Sequence, residues 1–424
     1  MRPMSRYDVI VIGGGPAGLA AAASARGHGA KDVLVIERAE RLGGILNQCI
    51  HNGFGLITYG EELTGPEYAH RAELAAREAG VETLLDTMVL SVAKDRTVTC
   101  VGPEGLLALS AGAVVLAMGC RERPAGALAI PGFRPAGVYT AGCAQRLVNM
   151  DGLLPGREIV ILGSGDIGLI MARRMTLEGA HVACVAELMP YSGGLKRNIV
   201  QCLDDFDIPL LLSHTVTRIE GRRRVEAVWL SEVGTDGWPI PGTEARYPCD
   251  TLLLSVGLLP ENELSREAGV RLSTVTRGPE VSQGLETSIP GVFACGNVLH
   301  VHDLVDYVTQ EAQAAGASAA RFATGGEKAP SGDVLPVTPA GAVRYVVPQR
   351  LDLGALPQAV TFRFRVGAPV DAATVSVEAG GRTLLRRLRP IMVPGQMEQL
   401  TIGREDLLAA GGYGVTIRVE GDGL

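Results

Sequence analysis

The sequence predicts an α/β protein with two doubly wound domains, followed by a small all-β, sandwich-like domain. Three observations support this prediction. A short apolar run, a glycine-rich turn and an alanine-rich helical stretch begin at residue 7, and the same order returns at residue 158. After residue 325 the helical periodicity gives way to short apolar runs separated by turn residues. Two copies of one βαβ pattern indicate two parallel-sheet domains.

The composition is that of a folded protein with several domains. The chain has 424 residues, of which 46% are hydrophobic and 20% are charged. At roughly 100–200 residues per domain, this length holds about two to four domains. The formal net charge is −7 at pH 7, and no dense block of lysine and arginine occurs. Because phosphate backbones are bound by concentrated positive charge, no nucleic-acid partner is expected.

The eight cysteines give no pairing signal. No two of them are three residues apart, so the sequence has neither a CxxC redox motif nor the ligand spacing of a zinc site. Scattered cysteines in apolar segments are typical of reduced thiols in a cytoplasmic protein. The first six residues show no signal-peptide pattern, and the sequence lacks the run of about 18 apolar residues that predicts a membrane span.

The first βαβ unit begins close to the start of the sequence. Tyr7–Ile12 is a β-branched apolar run, Leu19–Gly29 is an alanine-rich helical stretch, and Val33–Ile36 is a second apolar run. Glycines follow the first run at positions 13, 15 and 18, and Glu37 ends the second run. This order predicts a strand, a glycine-rich turn, a helix and a parallel strand.

Each residue of this pattern has a physical reason in dinucleotide binding. Gly13 permits the sharp turn, Gly15 lets the backbone approach a pyrophosphate, and Gly18 lets the helix pack close to the strand. The helix N-terminus offers N–H donors and the positive end of its dipole to the phosphates. Glu37 can accept hydrogen bonds from the adenosine ribose. The alternative is a plain glycine-rich turn, which the complete context disfavours.

The same pattern returns in the middle of the chain. Its strands are Glu158–Leu162 and His181–Ala186, its helical stretch is Leu169–Gly179, and Glu187 ends the second strand. The glycines of its turn stand at positions 163, 165 and 168. An acidic residue at this place suits a free 2′-hydroxyl and repels a 2′-phosphate, which favours NAD(H) over NADP(H).

Four further segments carry a family resemblance. Leu42–Gly44 resembles the Gly-Gly that follows the ribose acid in FAD-binding proteins, and Val114–Gly119 resembles the strand that crosses back beneath the flavin. Leu252–Asn262 resembles a second such strand, and Thr287–Asn297 resembles the closing FAD motif. With the two βαβ units, they make residues 7 to 322 similar to the FAD/NAD-linked pyridine-nucleotide oxidoreductase superfamily of two-Rossmann flavoproteins.

The resemblance implies an NAD domain inserted between two halves of an FAD domain. Residues 1–150 and 263–324 are the expected halves of the FAD-binding domain, and residues 151–262 are the expected NAD-binding domain. A linker is expected at 325–332, because that stretch is rich in glycine and proline. Residues 333–424 are the expected β-sandwich-like domain, because the spacing of short apolar runs and turn residues predicts six strands there: Ala342–Val347, Ala359–Val366, Ala373–Glu378, Arg382–Arg389, Glu398–Ile402 and Tyr413–Val419.

The resemblance also assigns residues to the two cofactors, FAD and NAD(H). Asn297 stands where the family usually has an aspartate on the ribityl chain, and asparagine can still donate and accept hydrogen bonds there. The next helix, expected to begin near Asp303, would direct its N-terminus at the flavin. The residues expected to bind cofactor are Gly13, Gly15, Pro16, Ala17, Gly18, Glu37, Arg38, Gly43, Gly44, Ala117, Gly119, Gly163, Gly165, Asp166, Ile167, Gly168, Glu187, Gly257, Gly296 and Asn297.

A closer likeness concerns the electron partner. The passages Gly44–Leu56, Met118–Pro124 and Glu187–Asn198 resemble FAD subunits of opine- and sarcosine-oxidising complexes, and NADH-oxidase-like flavoproteins that accompany glycerol-3-phosphate dehydrogenases. This implies a flavin that exchanges electrons with NAD(H) and with a partner dehydrogenase subunit or a small acceptor. The alternative is an electron-transfer subunit that is inactive outside a hetero-complex, and a homo-oligomer also stays open.

His51 and Cys49 are the candidate catalytic residues. They lie where the superfamily places residues that face the flavin, so His51 could relay a proton. Cys49 could act as a thiolate in a peroxidase or disulfide reductase, which requires a lowered pKa. The alternative for both is a space-filling role beside the ring.

Two other polar pairs have plainer interpretations. His300 and His302 could suggest a metal site, but no carboxylate or third histidine stands at metal spacing, so no metal is expected. Arg121 and Arg123 could pair with anions of the flavin or substrate, and surface ion pairs explain them equally well.

Overall fold

The protein is described here by a computed structural model that covers residues 5–325, 333–409 and 414–422. The chain forms two compact units. The first unit consists of the residues up to Cys120 and from Pro260 onwards, and the second unit is Arg121–Leu259. One unit is therefore inserted into the other, as the predicted fold class requires.

The first part of the first unit alternates strands and helices. Its strands are β1 (Arg6–Ile12), β2 (Val33–Ile36), β3 (Glu82–Leu84), β4 (Met88–Val92), β5 (Thr97–Gly102) and β6 (Gly105–Leu116), and its helices are α1 (Pro16–Gly27) and α2 (Gly65–Glu78). Small side chains let α1 lie close to its neighbours, and it buries Ala21, Ala22 and Ala25 completely.

The second unit contains a five-stranded sheet and a three-stranded one. Its elements, with the short strands at its two ends, are β7 (Cys120–Glu122), β8 (Val138–Thr140), α3 (Ala141–Asn149), β9 (Glu158–Leu162), α4 (Asp166–Leu177), β10 (His181–Glu187), α5 (Lys196–Cys202), β11 (Leu210–Leu212), β12 (His214–Glu220), β13 (Ala227–Glu232), β14 (Ala245–Pro248), β15 (Thr251–Leu254) and β16 (Leu258–Pro260). The larger sheet has the order β11-β10-β9-β15-β8 and is parallel throughout, while β12, β13 and β14 are antiparallel.

The second compact unit differs from the predicted insert at both ends. The second unit begins at Arg121 rather than at residue 151, and it ends at Leu259 rather than at residue 262. The reason is that β8 pairs in parallel with β15, so the sheet of the insert takes a strand that precedes its glycine-rich turn. Helix α3 belongs to the same body, because Ala141 and Ala144 lie in its hydrophobic core.

The rest of the first α/β body follows the insert. It comprises α6 (Glu263–Glu267), β17 (Val292–Ala294) and α7 (Val305–Ala323). The parallel part of its sheet has the order β3-β2-β1-β6-β17, and β5 and β4 extend the other half of β6 in antiparallel fashion. A Cβ on Gly316 of α7 would lie 2.0 Å from the carbonyl oxygen of Ala21, so α1 and α7 approach at backbone distance.

The C-terminal β-domain, described at residues 333–409 and 414–422, has two sheets around one core. Its elements are β18 (Val334–Gly341), β19 (Val343–Val347), β20 (Arg350–Asp352), β21 (Ala359–Val366), β22 (Val370–Ala379), β23 (Arg382–Met392), β24 (Glu398–Gly403), α8 (Arg404–Ala409) and β25 (Val415–Asp422). The strand orders are β20-β18-β25-β22-β23 and β19-β21-β24. Phe362, Val377 and Ile417 from three of these strands are fully buried in one cluster.

The six strands predicted in this domain are present, and two strands were missed. These are β18, which pairs in parallel with β25, and the short β20. Tyr413, predicted to start the last strand, and most of the linker expected at 325–332 lie outside the described residues.

The C-terminal β-domain is joined to the α/β body of its unit by side-chain hydrogen bonds. The Gln283 amide nitrogen donates to the carbonyl of Asp352 at 2.9 Å, and the Gln349 side chain accepts from the backbone of Val281 at 2.9 Å. Arg350 donates to the carbonyl of Glu286 at 3.1 Å. Among the helices that the structure describes, none is long and apolar enough to cross a membrane.

Candidate functional site

The turn between β1 and α1 needs glycine at two of its predicted positions. Gly13 has a φ of +107°, and a Cβ there would lie 2.4 Å from the carbonyl oxygen of Ala117. A Cβ on Gly18 would lie 1.8 Å from the carbonyl oxygen of Gly13. Side chains at these positions would therefore push the helix, the turn and β6 apart.

The N-terminus of α1 is open to an anion. Pro16 occupies its first turn, which has neither an acidic residue nor a side-chain cap. Helix α2, by contrast, is closed by a capping box of Thr64 and Glu67. Apart from its two chain neighbours, the nearest atom to a Cβ on Gly15 in the described part of the chain is Cα of Gly44, at 3.9 Å. The backbone N–H groups of this turn therefore fit a pyrophosphate.

Glu37 lies beside this turn, as predicted for a ribose acid. Its Oε2 accepts a hydrogen bond from the backbone of Gly14 at 2.6 Å, and its Oε1 accepts one from Ala39 at 2.9 Å. A carboxylate has about four acceptor positions, so it can accept ribose hydroxyls in addition. The neighbouring Arg38, also predicted to bind cofactor, is exposed.

The second unit repeats both backbone hydrogen bonds to the acid, and the Ser164 hydroxyl adds a third to Glu187 at 2.6 Å. Oε2 of Glu187 accepts from the backbone of Ser164 at 2.8 Å, and Oε1 accepts from Met189 at 3.0 Å. A Cβ on Gly163, which has a φ of +100°, would lie 2.1 Å from the carbonyl oxygen of Ser255. The N-cap of α4, position 165, again has no side-chain cap. The two glycine turns thus carry acids in equivalent positions.

Three predicted residues of the second unit have structural partners of their own. The carboxylate of Asp166 accepts from the backbone of Leu195 at 2.8 Å and from the Asn198 amide at 2.7 Å, so it holds the start of α5. Ile167 packs against the hydrophobic core. The carbonyl of Gly257 accepts from the backbone of Arg123 at 3.0 Å.

The other predicted FAD segments of the first unit lie near its glycine turn. The backbone of Gly43 donates to the carbonyl of Gly14 at 2.9 Å, and Gly44 is the next residue. A Cβ on Gly296 would lie 2.8 Å from the Cβ of Ala17. The structure thereby brings together residues that are far apart in sequence. Gly119, the remaining glycine predicted to bind FAD, has a φ of +73° and lies shortly after the end of β6.

Asn297 is held by its surroundings in the same unit. Its Oδ1 accepts a hydrogen bond from the backbone of His302 at 2.9 Å, and its amide nitrogen lies 3.5 Å from Sγ of Cys120. Helix α7 begins at Val305, slightly later than expected, and its first turn has no side-chain cap. The segment 296–303 is a loop that begins with a 3₁₀ turn at Gly296–Val298 and leads into α7, whose first turn contains Asp306.

Cys49 and His51 lie on a loop that follows a short 3₁₀ helix. The Nδ1 atom of His51 lies 2.9 Å from the carbonyl oxygen of Asn52, and its ring packs against Phe54 with the centroids 4.9 Å apart. Burial raises the pKa of the Cys49 thiol to about 12. The thiol therefore stays protonated at neutral pH, which disfavours a thiolate mechanism.

Replacement of Cys49 by alanine is expected to leave turnover with NADH within about twofold of the wild type, because a neutral thiol contributes no nucleophile. The measurement is steady-state oxidation of NADH with a dye acceptor. Cys143, which is exposed, provides the matched control variant. A loss of more than tenfold in Cys49→Ala alone would show that the thiol takes part in the chemistry.

Three buried polar residues of α7 were not predicted from the sequence. Asp306 accepts hydrogen bonds from the backbone of Thr58 at 2.8 Å and of Gly55 at 3.2 Å, so it holds the loop that carries His51. The Thr309 hydroxyl lies 2.7 Å from that of Tyr68 on α2. The third residue is the glutamate at position 311. The available signal was the placement of polar residues on the buried face of an alanine-rich helix.

Glu311 also corrects the expectation that no carboxylate accompanies the two histidines. Its Oε2 lies 2.8 Å from Nε2 of His300 and 3.4 Å from Nε2 of His302. The three residues offer ligand atoms within 4.8 Å of one another. However, Nη1 of Arg363 lies 3.6 Å from the same oxygen and already supplies a positive charge. This charge disfavours a metal ion.

The charge states in this cluster follow from burial and proximity. Burial lowers the pKa of His300 to about 4, against the opposing field of Glu311, so this imidazole is neutral at pH 7. Burial alone would raise the pKa of Glu311, but the neighbouring His302 and His300 hold that pKa well below its ordinary range. Glu311 is therefore an anion in the interior of the protein.

Comparison with known proteins agrees with this geometry. The family model described as pyridine nucleotide-disulphide oxidoreductase matches residues 7–319. The chain is 29% identical to an opine oxidase subunit of Agrobacterium tumefaciens over 63% of its own length and 55% of that protein. It is 24% identical to an NADH oxidase of Methanocaldococcus jannaschii over 71% of its own length and 64% of that protein. The chain thus spans less than two thirds of either relative.

The fold is also that of a solved structure. Thioredoxin reductase of T. acidophilum superposes with a TM-score of 0.60 at 23% identity, covering 74% of this chain and 98% of that one. This likeness confirms the predicted two-domain α/β fold. The C-terminal part of the chain is rich in strands, as predicted.

Proposed function

The chain belongs to the pyridine nucleotide-disulphide oxidoreductase family, and from this premise we propose that it is an FAD-dependent oxidoreductase that transfers a hydride between NAD(H) and FAD. The observation that carries the proposal is the repeated arrangement of acid and glycine turn. Glu37 accepts from the backbone of Gly14, and Glu187 accepts from that of Ser164. Each pair lies beside a helix N-terminus without a side-chain cap, so each unit has a place for one dinucleotide.

The protein's own contribution is binding and orientation. When bound, the two cofactors supply the redox chemistry, a hydride transfer between nicotinamide and flavin. The first turn of α1 would bind the FAD diphosphate, Glu37 would accept its ribose hydroxyls, and the loop that holds Asn297 would lie along its ribityl chain. Asp306 fixes the loop of His51, which positions a group able to carry a proton.

Anaerobic titration with NADH tests the proposal directly. The purified protein should be yellow, and its visible flavin absorbance should bleach with one equivalent of NADH per flavin. Addition of an oxidant should restore the colour. A protein that stays colourless after incubation with excess FAD, or a yellow one that neither NADH nor NADPH bleaches, would contradict the proposal.

We further propose that the flavin passes electrons to or from a partner dehydrogenase subunit or a small acceptor. The support is the similarity to the opine oxidase subunit, which is by its name one part of a complex. In the alternative, the chain is inactive outside a hetero-complex. Acceptor turnover that rises only when a copurifying flavoprotein is added back would support that alternative, whereas full turnover by the isolated chain would contradict it.

NADH is expected to be preferred over NADPH, because the Glu187 carboxylate binds a 2′-hydroxyl and repels a 2′-phosphate. A hydrogen bond to a charged group contributes about 1.5–3 kcal/mol, so kcat/KM should favour NADH by roughly tenfold or more. Glu187→Gln should reduce this ratio. The matched control is Glu178→Gln, an exposed acid at the end of α4 that pairs with Arg174. An unchanged ratio in Glu187→Gln would assign the preference to other residues.

A further inference from the structure

The C-terminal β-domain places two arginines next to the loop of residues 296–303. Both arginines are on β21, where side chains two residues apart point to the same face. Nη1 of Arg363 lies 3.6 Å from Oε2 of Glu311, and Nη2 of Arg365 lies 3.1 Å from Oδ1 of Asp303. Arg365 also donates to the carbonyl of Val301 at 3.1 Å. Strand β21 therefore contacts Asp303 of the loop and also Glu311 of α7.

Glu311 connects Arg363 to the beginning of the same loop. Its Oε1 accepts a hydrogen bond from the backbone of Gly296 at 2.8 Å, while Oε2 faces His300 and Arg363. Glu311 is completely buried. An ionised carboxylate is stable in such a place only when a positive charge compensates it. His300, His302 and Arg363 all contact this carboxylate, and among these described contacts Arg363 is the group that is charged at every pH near neutrality.

The end of the loop is held in a similar way. The second carboxylate oxygen of Asp303 accepts from the backbone of Met397 at 3.2 Å, and Arg365 binds the first. Asp303 is therefore held directly by the C-terminal β-domain. Gly296 is held by Glu311, which Arg363 of the same domain contacts. This domain lies in the same compact unit as the loop.

We infer that Arg363 is a positioning residue for FAD: it neutralises Glu311, so that Glu311 can hold Gly296 and the loop that contains Asn297 in the binding conformation. This inference rests on the proposed function, because the loop is expected to bind FAD. It gives the C-terminal β-domain a role in the flavin site. A divalent metal ion at His300, His302 and Glu311 is the competing assignment, in which Arg363 would not be the partner of the carboxylate.

The test is a charge-compensation cycle. Arg363→Met removes the charge and keeps much of the volume, and it should raise the dissociation constant of FAD about tenfold or more, because it leaves a buried carboxylate without compensation. Arg363→Lys should retain most of the affinity.

The double variant Arg363→Met/Glu311→Gln should bind FAD more tightly than Arg363→Met alone, since the amide oxygen can still accept from Gly296 and needs no counter-charge. Arg386→Met, an exposed arginine on β23, is the control.

Two measurements separate the inference from the proposed function. Titration of apoprotein with FAD gives the dissociation constants, and hydrogen exchange of the amides in 296–303 reports the loop without any cofactor. Faster exchange in Arg363→Met, restored in the double variant, is the expected result. Absence of FAD binding by the wild type would contradict the proposed function, and the exchange cycle would still decide the inference. Exchange and affinity equal to those of Arg386→Met, or stoichiometric metal in the purified protein, would overturn it.

Discussion

Replacement of Gly18 by alanine is expected to lower the affinity for FAD by about 100-fold or more, because a clash of this kind with backbone costs roughly 3 kcal/mol when the structure cannot relax. The new Cβ would lie 1.8 Å from the carbonyl oxygen of Gly13 and 3.3 Å from a methyl group of Val11. Helix α1 would have to move away from β1, and its N-terminus would leave the phosphate position.

The measurement for Gly18→Ala is FAD content after purification, followed by titration of the apoprotein. The matched control is Gly27→Ala at the other end of the same helix, where a Cβ would meet no atom of the other described residues within 4 Å. The control should retain FAD and gain a little helix stability. Normal FAD content in Gly18→Ala would mean that this turn does not bind the flavin nucleotide.

The corresponding substitution in the second unit should separate the two sites. A Cβ on Gly168 would lie 2.5 Å from the carbonyl oxygen of Gly163 and 2.8 Å from Cβ of Ser255. We expect Gly168→Ala to remain yellow with a normal content of FAD, whereas kcat/KM for NADH should fall by roughly 30- to 100-fold, on the basis of a distortion cost of about 2–3 kcal/mol.

Stopped-flow reduction under anaerobic conditions measures this difference. Dithionite should reduce the flavin of Gly168→Ala as fast as that of the wild type, so that slow reduction by NADH reports the nucleotide site alone. Gly126→Ala is the control in the same unit, because a Cβ there has open space around it as far as the structure describes the chain. Loss of FAD in Gly168→Ala, or an unchanged rate with NADH, would refute the assignment of one nucleotide to each unit.

The dinucleotide turns could be predicted from sequence because their determinants are local. A strand, three glycines, a helix and an acid follow one another within each βαβ unit. The close backbone contacts at Gly13 and Gly18 explain why larger residues are disfavoured at these two positions. The second unit begins earlier than the predicted insert, because its first strand in the larger sheet has no such local determinant. Strand β8 has only three residues and no glycine motif, and its membership depends on pairing with β15.

The charged cluster could not be predicted, because its members meet only in the folded chain. Glu311 comes from α7 and Arg363 from β21, and neither stands at a recognisable spacing from His300. The sequence pattern pointed to the two histidines, but no spacing pointed to Glu311 as the carboxylate beside them. Asp306 was missed likewise, since its partners at Thr58 and Gly55 belong to a remote loop.

The insertion of one unit within another has a consequence for the order of events on the ribosome. The second unit, Arg121–Leu259, leaves the exit tunnel as an unbroken stretch and can close its sheet first. The α/β body that begins at β1 must wait for β17 and α7, and the counter-ion of Glu311 emerges later still, on β21. Cofactor uptake is therefore expected only after β21 has been made.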